Sequence, residues 1–122
     1  MECWKKAREY CSGIYAICVD TSLSKNLLLK DQIERASGSV MDNIAEGFDR
    51  GGNKEFIQFL YIAKSSASET KSQLYRILDR KYISIEIFEK LYKECEEIQK
   101  MISGLIKHLK ESELKGKKFN HS

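Results

Sequence analysis

The chain has 122 residues, with 21 Lys and Arg against 18 Asp and Glu, and it contains no proline. This length fits one domain, and a composition of 42% hydrophobic and 32% charged residues is that of a folded chain rather than a disordered one. No apolar run approaches the ~20 residues that a membrane-spanning helix needs, and the N-terminus lacks the apolar stretch of a signal peptide. We therefore expect a cytoplasmic protein with no membrane partner.

The first predicted helix runs from about Glu2 to Asp20, and the lack of proline favours helix along the whole chain. Cys11 and Cys18 lie two helical turns apart on one face. That separation, about 10 Å, is too large for a disulfide or for a shared metal ion. We interpret the four cysteines of the chain as small buried apolar residues.

The second predicted helix runs from about Lys25 to Phe48, with Ser22 or Ser24 as its N-cap. Its small run 36–39, Ala-Ser-Gly-Ser, predicts close approach of another backbone, because glycine inside a helix costs up to ~1 kcal/mol relative to alanine. Gly47 or the pair 51–52 is expected to end the helix. The stripe that we expect to be buried is Ile33, Ser37, Val40, Ile44 and Phe48.

The third predicted helix runs from about Lys54 to Lys81, with Asn53 as its N-cap, and a short link leads to Ser84 as the N-cap of the fourth. The fourth helix has the clearest heptad pattern in the chain. One row is Phe88, Cys95, Ile102 and Leu109, and the other is Leu91, Ile98 and Leu105.

Four amphipathic helices with short links predict an all-α fold, an up-down-up-down antiparallel four-helix bundle over residues 1–110. Residues 1–106 carry equal numbers of basic and acidic side chains, so the formal net charge of +3 lies entirely in 107–122. We expect residues 111–122 to form a Lys-rich, flexible C-terminal tail. Such a tail serves either to touch polyanions or to keep the protein soluble.

The sequence predicts no catalytic, cofactor-binding or metal site. The chain has two histidines, and the position three before His108 is Leu105, so the Glu-x-x-His signature of a bundle di-metal site is missing there. Phosphate-binding glycine loops and Ser/His/Asp sets are also missing. We therefore expect a protein that is not an enzyme, uses no cofactor and has no small-molecule substrate.

A charged stripe follows the apolar one on the second helix and includes Asp31, Arg35, Asp42 and Glu46. Two interpretations stay open. One is a solvated face with i,i+4 pairs worth only ~0.2–0.5 kcal/mol each. The other is a polar contact between subunits.

The third helix is the basic one, with six Lys and Arg against three Asp and Glu. Lys64, Lys71 and Tyr75 share one face, with Tyr61 a turn before them, and lysines beside exposed tyrosines suit a nucleic-acid backbone with some base stacking. An ordinary solvated face is the alternative interpretation. The candidate nucleic-acid-binding residues are Lys54, Lys64, Lys71, Tyr75, Arg76, Arg80 and Lys81.

Several segments taken in order resemble one bacterial family of four-helix bundles, the 23S rRNA intervening-sequence proteins, which is related to the accessory variability proteins of diversity-generating retroelements. The most specific part is the run 43–48, Asn-Ile-Ala-Glu-Gly-Phe, followed by Lys-Glu-Phe at 54–56 and Phe-Leu at 59–60. Trp-Lys-Lys-Ala at 4–7, Gln-Ile-Glu-Arg-Ala at 32–36 and Tyr-Ile-Ser at 82–84 add to the likeness. Two positions depart from the family: Val-Met-Asp at 40–42 replaces a common proline, and Glu34-Arg35 replaces an Arg-Arg pair.

The resemblance implies a ring-like homopentamer and an association with RNA, DNA or a reverse transcriptase. It also implies that Asn43, Glu46 and Gly47 carry the family motif. We interpret Arg35, Asn43 and Glu46 as structural or oligomer-interface groups and Gly47 as the residue that ends the second helix. The leading hypothesis is a non-enzymatic oligomeric protein that binds nucleic acid or a nucleic-acid-handling partner. Its alternative is a protein-only scaffold or adaptor with no affinity for nucleic acid.

Overall fold

The computed structural model describes residues 1–120, and side chains for residues 1–116. Four α-helices account for almost all of it: α1 (Glu2–Asp20), α2 (Leu27–Asp49), α3 (Asn53–Asp79) and α4 (Ile85–Asn120). A short 3-10 helix, Ser22–Lys25, links α1 to α2. The predicted all-α four-helix bundle is confirmed.

The helices run antiparallel in sequence order, and side-chain pairs fix the register of each contact. Ser39 of α2 meets Ser66 of α3, and Gln99 of α4 meets Ser68 of α3. Leu91 of α4 lies against Gly13 of α1, so the first and last helices close the bundle. The contact between α2 and α3 is the most extensive of the four.

The core contains the apolar rows that the heptad pattern predicts. On α4, both rows are buried over 88–102, while Leu105 and Leu109 are partly buried at the far end. On α2, Ile33, Ser37, Val40 and Ile44 are buried. Phe48, expected on the same stripe, is instead 61% exposed, because its ring lies at the edge of the bundle against Phe56, with centroids 6.0 Å apart.

The start of α2 differs from the sequence-based expectation. The 3-10 helix occupies Ser22–Lys25, so neither Ser22 nor Ser24 can cap α2. The cap is Asn26, whose Oδ1 accepts from the backbone N–H of Leu29 at 3.2 Å. Asn26 also donates from Nδ2 to the hydroxyl of Tyr82 at 3.1 Å, which joins this end of α2 to the α3–α4 link.

Gly47 does not end α2, which corrects the role expected for it. The residue is buried inside the helix, which continues to Asp49. A Cβ at this position would lie 2.7 Å from Cβ of Phe59 and 3.0 Å from Cδ1 of Phe56. Glycine is therefore needed here because α3 passes too close for any side chain, and the residue with positive φ after the helix is Gly51, at +82°.

Of the caps predicted for α3 and α4, the one for α4 is correct and the one for α3 is wrong by one residue. Asn53 is the first residue of α3 rather than its N-cap, and Gly52 takes the cap position with no side-chain hydrogen bond. Ser84 caps α4 as predicted, since its Oγ accepts from the backbone N–H of Ile87 at 3.2 Å. The backbone of 111–120, which we assigned to a C-terminal tail, continues α4 as helix to Asn120, while 121–122 lie outside the described residues.

Candidate functional site

One side of the bundle presents lysines and tyrosines along the seam between α3 and α4. The α3 residues recur every three or four positions, so they form a stripe on one face. The α4 residues are spaced by seven, four, four and three positions, so they also share one face, and they lie against the α3 residues in antiparallel order. We call this surface the α3/α4 groove: Tyr61, Lys64, Ser68, Lys71 and Tyr75 from α3, and Tyr92, Gln99, Ser103, Lys107 and Lys110 from α4.

Gln99 joins the two helices at the middle of the groove. Its Nε2 donates to Oγ of Ser68 at 2.8 Å and to the backbone carbonyl of Lys64 at 3.3 Å. Its Oε1 accepts from Nζ of Lys71 at 3.0 Å. One amide side chain therefore fixes the positions of residues from three successive turns of α3.

Lys71 contacts three side chains inside the groove. Besides Gln99, its ammonium lies 3.9 Å from a carboxylate oxygen of Glu96 and 4.8 Å from the ring centroid of Tyr92. Only 20% of its side chain is exposed. Lys71 thus contributes to holding α3 and α4 together, and most of its side chain is covered by these contacts.

At the opposite end of the groove, three lysines lie close together without a carboxylate partner among the described side chains. Lys64, Lys107 and Lys110 surround an open depression of about 330 Å³ together with Tyr61, Ser103, Ile106 and Glu111. Lys110 donates to the Tyr61 hydroxyl at 2.6 Å. Among the described side chains, none of these three lysines has a carboxylate within salt-bridge distance.

Tyrosines border the groove at both ends. Tyr75 is 48% exposed, and its ring is held by Phe88 and Tyr92 at centroid distances of 4.9 and 5.5 Å. Tyr61 is 45% exposed, with the Lys110 ammonium 5.1 Å from its ring centroid. Both rings are thus fixed on one side and open on the other.

The other candidate nucleic-acid-binding residues lie away from this groove. Nη1 of Arg76 donates to Oε1 of Gln32 at 3.2 Å, so this residue faces α2. Lys54 is at the start of α3, while Arg80 and Lys81 follow its end, a separation of about 40 Å at 1.5 Å per residue. The fold therefore brings together Lys64, Lys71 and Tyr75, and leaves the remaining four apart.

The family-motif residues on α2 form structural contacts. Nδ2 of Asn43 donates to the backbone carbonyl of Ser39 at 2.8 Å and to its Oγ at 2.9 Å. Oγ of Ser39 lies 2.8 Å from Oγ of Ser66, so Asn43 supports a polar contact between α2 and α3. Glu46 forms an exposed i,i+4 pair with Arg50 at 2.9 Å, and Arg35 is exposed.

Sequence reasoning missed the α4 half of the groove. It singled out the basic third helix and treated the lysines after residue 106 as part of a net charge in the C-terminal segment. A usable signal was present, because Tyr92, Gln99, Ser103, Lys107 and Lys110 follow helical spacing on the face beside the heptad rows. What the sequence could not supply was the register that sets them against α3.

Apolar side chains are exposed at both ends of the bundle. At one end, Met1, Trp4 and Phe48 line a shallow groove of about 250 Å³ with Ile44, Ala45 and Asp49. At the other, Leu27 and Leu28 begin α2 largely exposed. Within residues 1–120, no helix is both long and apolar enough to cross a membrane.

The comparisons with known proteins agree with the fold and with the predicted resemblance. The family model described as 23S rRNA-intervening sequence protein matches residues 1–104. A crystal structure of a protein of unknown function from the S23 ribosomal protein family of Bacteroides thetaiotaomicron superimposes with a TM-score of 0.78 at 29% identity, covering 86% of this chain and 98% of that one. No curated protein matches the chain. The chain belongs to the 23S rRNA-intervening sequence protein family.

Proposed function

We propose that this protein is a non-catalytic helical bundle that binds nucleic acid along the α3/α4 groove and works as a homo-oligomer. The main support for the proposal is the group Lys64, Lys107 and Lys110. These three lysines come from two helices and surround one depression, and Glu111 is the single acidic residue among those that line it. Lysines that have no internal ion pair can replace the counterions of a phosphate backbone. Lys71, which is paired, serves to order this surface.

The state of the buried thiols supports a role without nucleophilic catalysis. Burial raises the pKa of Cys18 to about 11, and burial likewise raises the pKa of Cys95 to about 11. Both are therefore protonated at neutral pH, whereas the reactive form of cysteine is the thiolate. Cys3 and Cys11 also have pKa values raised by burial.

A binding titration tests the nucleic-acid proposal. We would measure fluorescence anisotropy of a labelled 20-nucleotide RNA or DNA at 50 and 200 mM salt, with the wild type and with the triple variant K64Q/K107Q/K110Q. The matched control is K5Q/K25Q/K90Q, which removes the same charge from exposed lysines outside the groove.

We expect wild-type affinity to fall steeply with salt. The groove variant should lose at least roughly tenfold in affinity at 50 mM salt. Each phosphate contact contributes ~0.7–0.9 to the slope of log K against log salt, so the loss of three contacts should make that slope shallower by roughly 2–3. The control should bind as the wild type does. No binding at 50 mM salt, or equal losses in both variants, would overturn the proposal.

A protein-only scaffold is the second candidate, and the exposed apolar groups at the two ends favour it. The groove at Met1, Trp4 and Phe48 and the exposed pair Leu27 and Leu28 lie on opposite ends of α2, as a head-to-tail contact between neighbouring copies requires. A ring of five copies, the assembly implied by the family resemblance, would bury both.

Light scattering coupled to size exclusion tests the assembly. We expect a discrete oligomer that F48E or L28E dissociates without loss of helical circular dichroism, while the control S72E, at an exposed site on α3, leaves it intact. A wild-type monomer at high micromolar concentration would refute self-association. An oligomer that binds no nucleic acid would favour the scaffold.

A further inference from the structure

We infer that the α3/α4 groove selects single-stranded over double-stranded nucleic acid, with unpaired bases stacking on Tyr61 and Tyr75. This inference rests on the proposed nucleic-acid binding and adds the class of strand that the groove accepts. Its basis is the placement of two half-exposed tyrosine rings on the same face as Lys64, Lys107 and Lys110.

The two rings are arranged as a stacking surface. Tyr61 and Tyr75 are fourteen positions apart on α3, which places them on one side of the helix about 21 Å from each other. Lys64 lies between them, while Lys107 and Lys110 of α4 lie around Tyr61 at one end of the stripe. A strand that follows the groove would therefore meet one aromatic ring within the lysine cluster and the second ring farther along α3.

Both rings are held in place before any ligand arrives. Phe88 and Tyr92 pack against Tyr75, and the Lys71 ammonium lies over the ring of Tyr92. The hydroxyl of Tyr61 accepts from Lys110. A fixed ring loses little conformational entropy when a base stacks on it, so the exposed sides of these rings are suited to binding.

Duplex nucleic acid cannot use this arrangement. Its bases are paired and stacked inside the helix, so their faces reach a protein side chain only after unpairing. Packed helices have axes 8–10 Å apart, and the groove between them is narrower than a duplex. A duplex would therefore contact the lysines through its phosphates alone, whereas a single strand would add stacking, which is worth roughly a tenfold gain in affinity per base.

The test compares one 20-nucleotide sequence as a single strand and annealed to its complement, at 50 mM salt. The proteins are the wild type, Y61L, Y75L and the matched controls Y61F and Y75F, which keep the ring. We expect the wild type to bind the single strand at least tenfold more tightly than the duplex. Each leucine variant should lose about tenfold in affinity for the single strand only. Y75F should retain this affinity, and Y61F, which keeps the ring but loses the hydrogen bond from Lys110, should retain most of it.

Quenching of 2-aminopurine placed within the strand gives an independent readout of stacking, and it should be lost in Y61L and kept in Y61F. Y61L is the decisive variant because Tyr61 lies outside the Tyr75–Phe88–Tyr92 cluster, so its replacement leaves the packing of that cluster intact. Equal affinity for both forms, or leucine variants that bind both forms equally weakly, would overturn the strand preference while leaving the proposed function standing. No binding to either form would overturn both.

Discussion

The close contact between α2 and α3 at Gly47 leads to a quantitative prediction for the variant G47A. The added Cβ would lie 2.7 Å from Cβ of Phe59, whereas carbon atoms in contact prefer about 3.5–4.0 Å. The neighbouring atom is attached directly to the α3 backbone, so a rotamer change cannot relieve the clash. The two helices must move apart locally, by roughly 1 Å.

The cost follows from two opposing effects. Overpacking of this kind typically costs about 1–3 kcal/mol, and replacing a helical glycine with alanine gains up to ~1 kcal/mol. G38A provides the matched control, because Gly38 also lies inside α2 and a Cβ there would meet no atom within 4 Å. The helix-propensity gain is common to both variants. The difference between them, about 1–3 kcal/mol in unfolding free energy, therefore isolates the overpacking.

Urea unfolding followed by circular dichroism at 222 nm would measure both variants. With the same helix-propensity gain in both variants, we expect G38A to be more stable than the wild type by up to ~1 kcal/mol and G47A to be less stable by up to about 2 kcal/mol. The reasoning is refuted if G47A is stabilised as much as G38A, since the helices would then have room for a side chain at Gly47.

Two further predictions concern stability. The variant N26A should lower the unfolding free energy by about 1 kcal/mol in urea titrations, because it removes the α2 cap together with the hydrogen bond to Tyr82; stability equal to that of the wild type would show that the cap contributes little. Cys18 and Cys95 should make stability fall at alkaline pH. The folded protein keeps both protonated up to about pH 11, while the unfolded chain ionises them from about pH 9.0. Unfolding free energy should therefore drop between these pH values, by ~1.4 kcal/mol per pKa unit for each thiol. Urea midpoints at pH 7.5 and 10 would measure this, and an unchanged pH slope in C18A/C95A would contradict it.

The sequence determined the elements and their buried faces. Heptad rows on α4 placed Phe88, Cys95 and Ile102 in the core, and the serine that follows the short link at 82–83 was identified as the cap of α4. These features are local, because capping and helical periodicity depend on residues a few positions apart. For the same reason the approximate bounds predicted for α1 agree with the helix observed.

Other features were decided by the tertiary structure. Gly47 looked like a helix end in sequence, yet its small size is required by Phe59 on the next helix. Lys64 was identified from α3 alone, and only the register between α3 and α4 sets it beside Lys107, some forty residues later. That register depends on how side chains from two helices fit together over their whole length. Helical periodicity shows which face is apolar, but it does not show which residue of another helix each side chain meets.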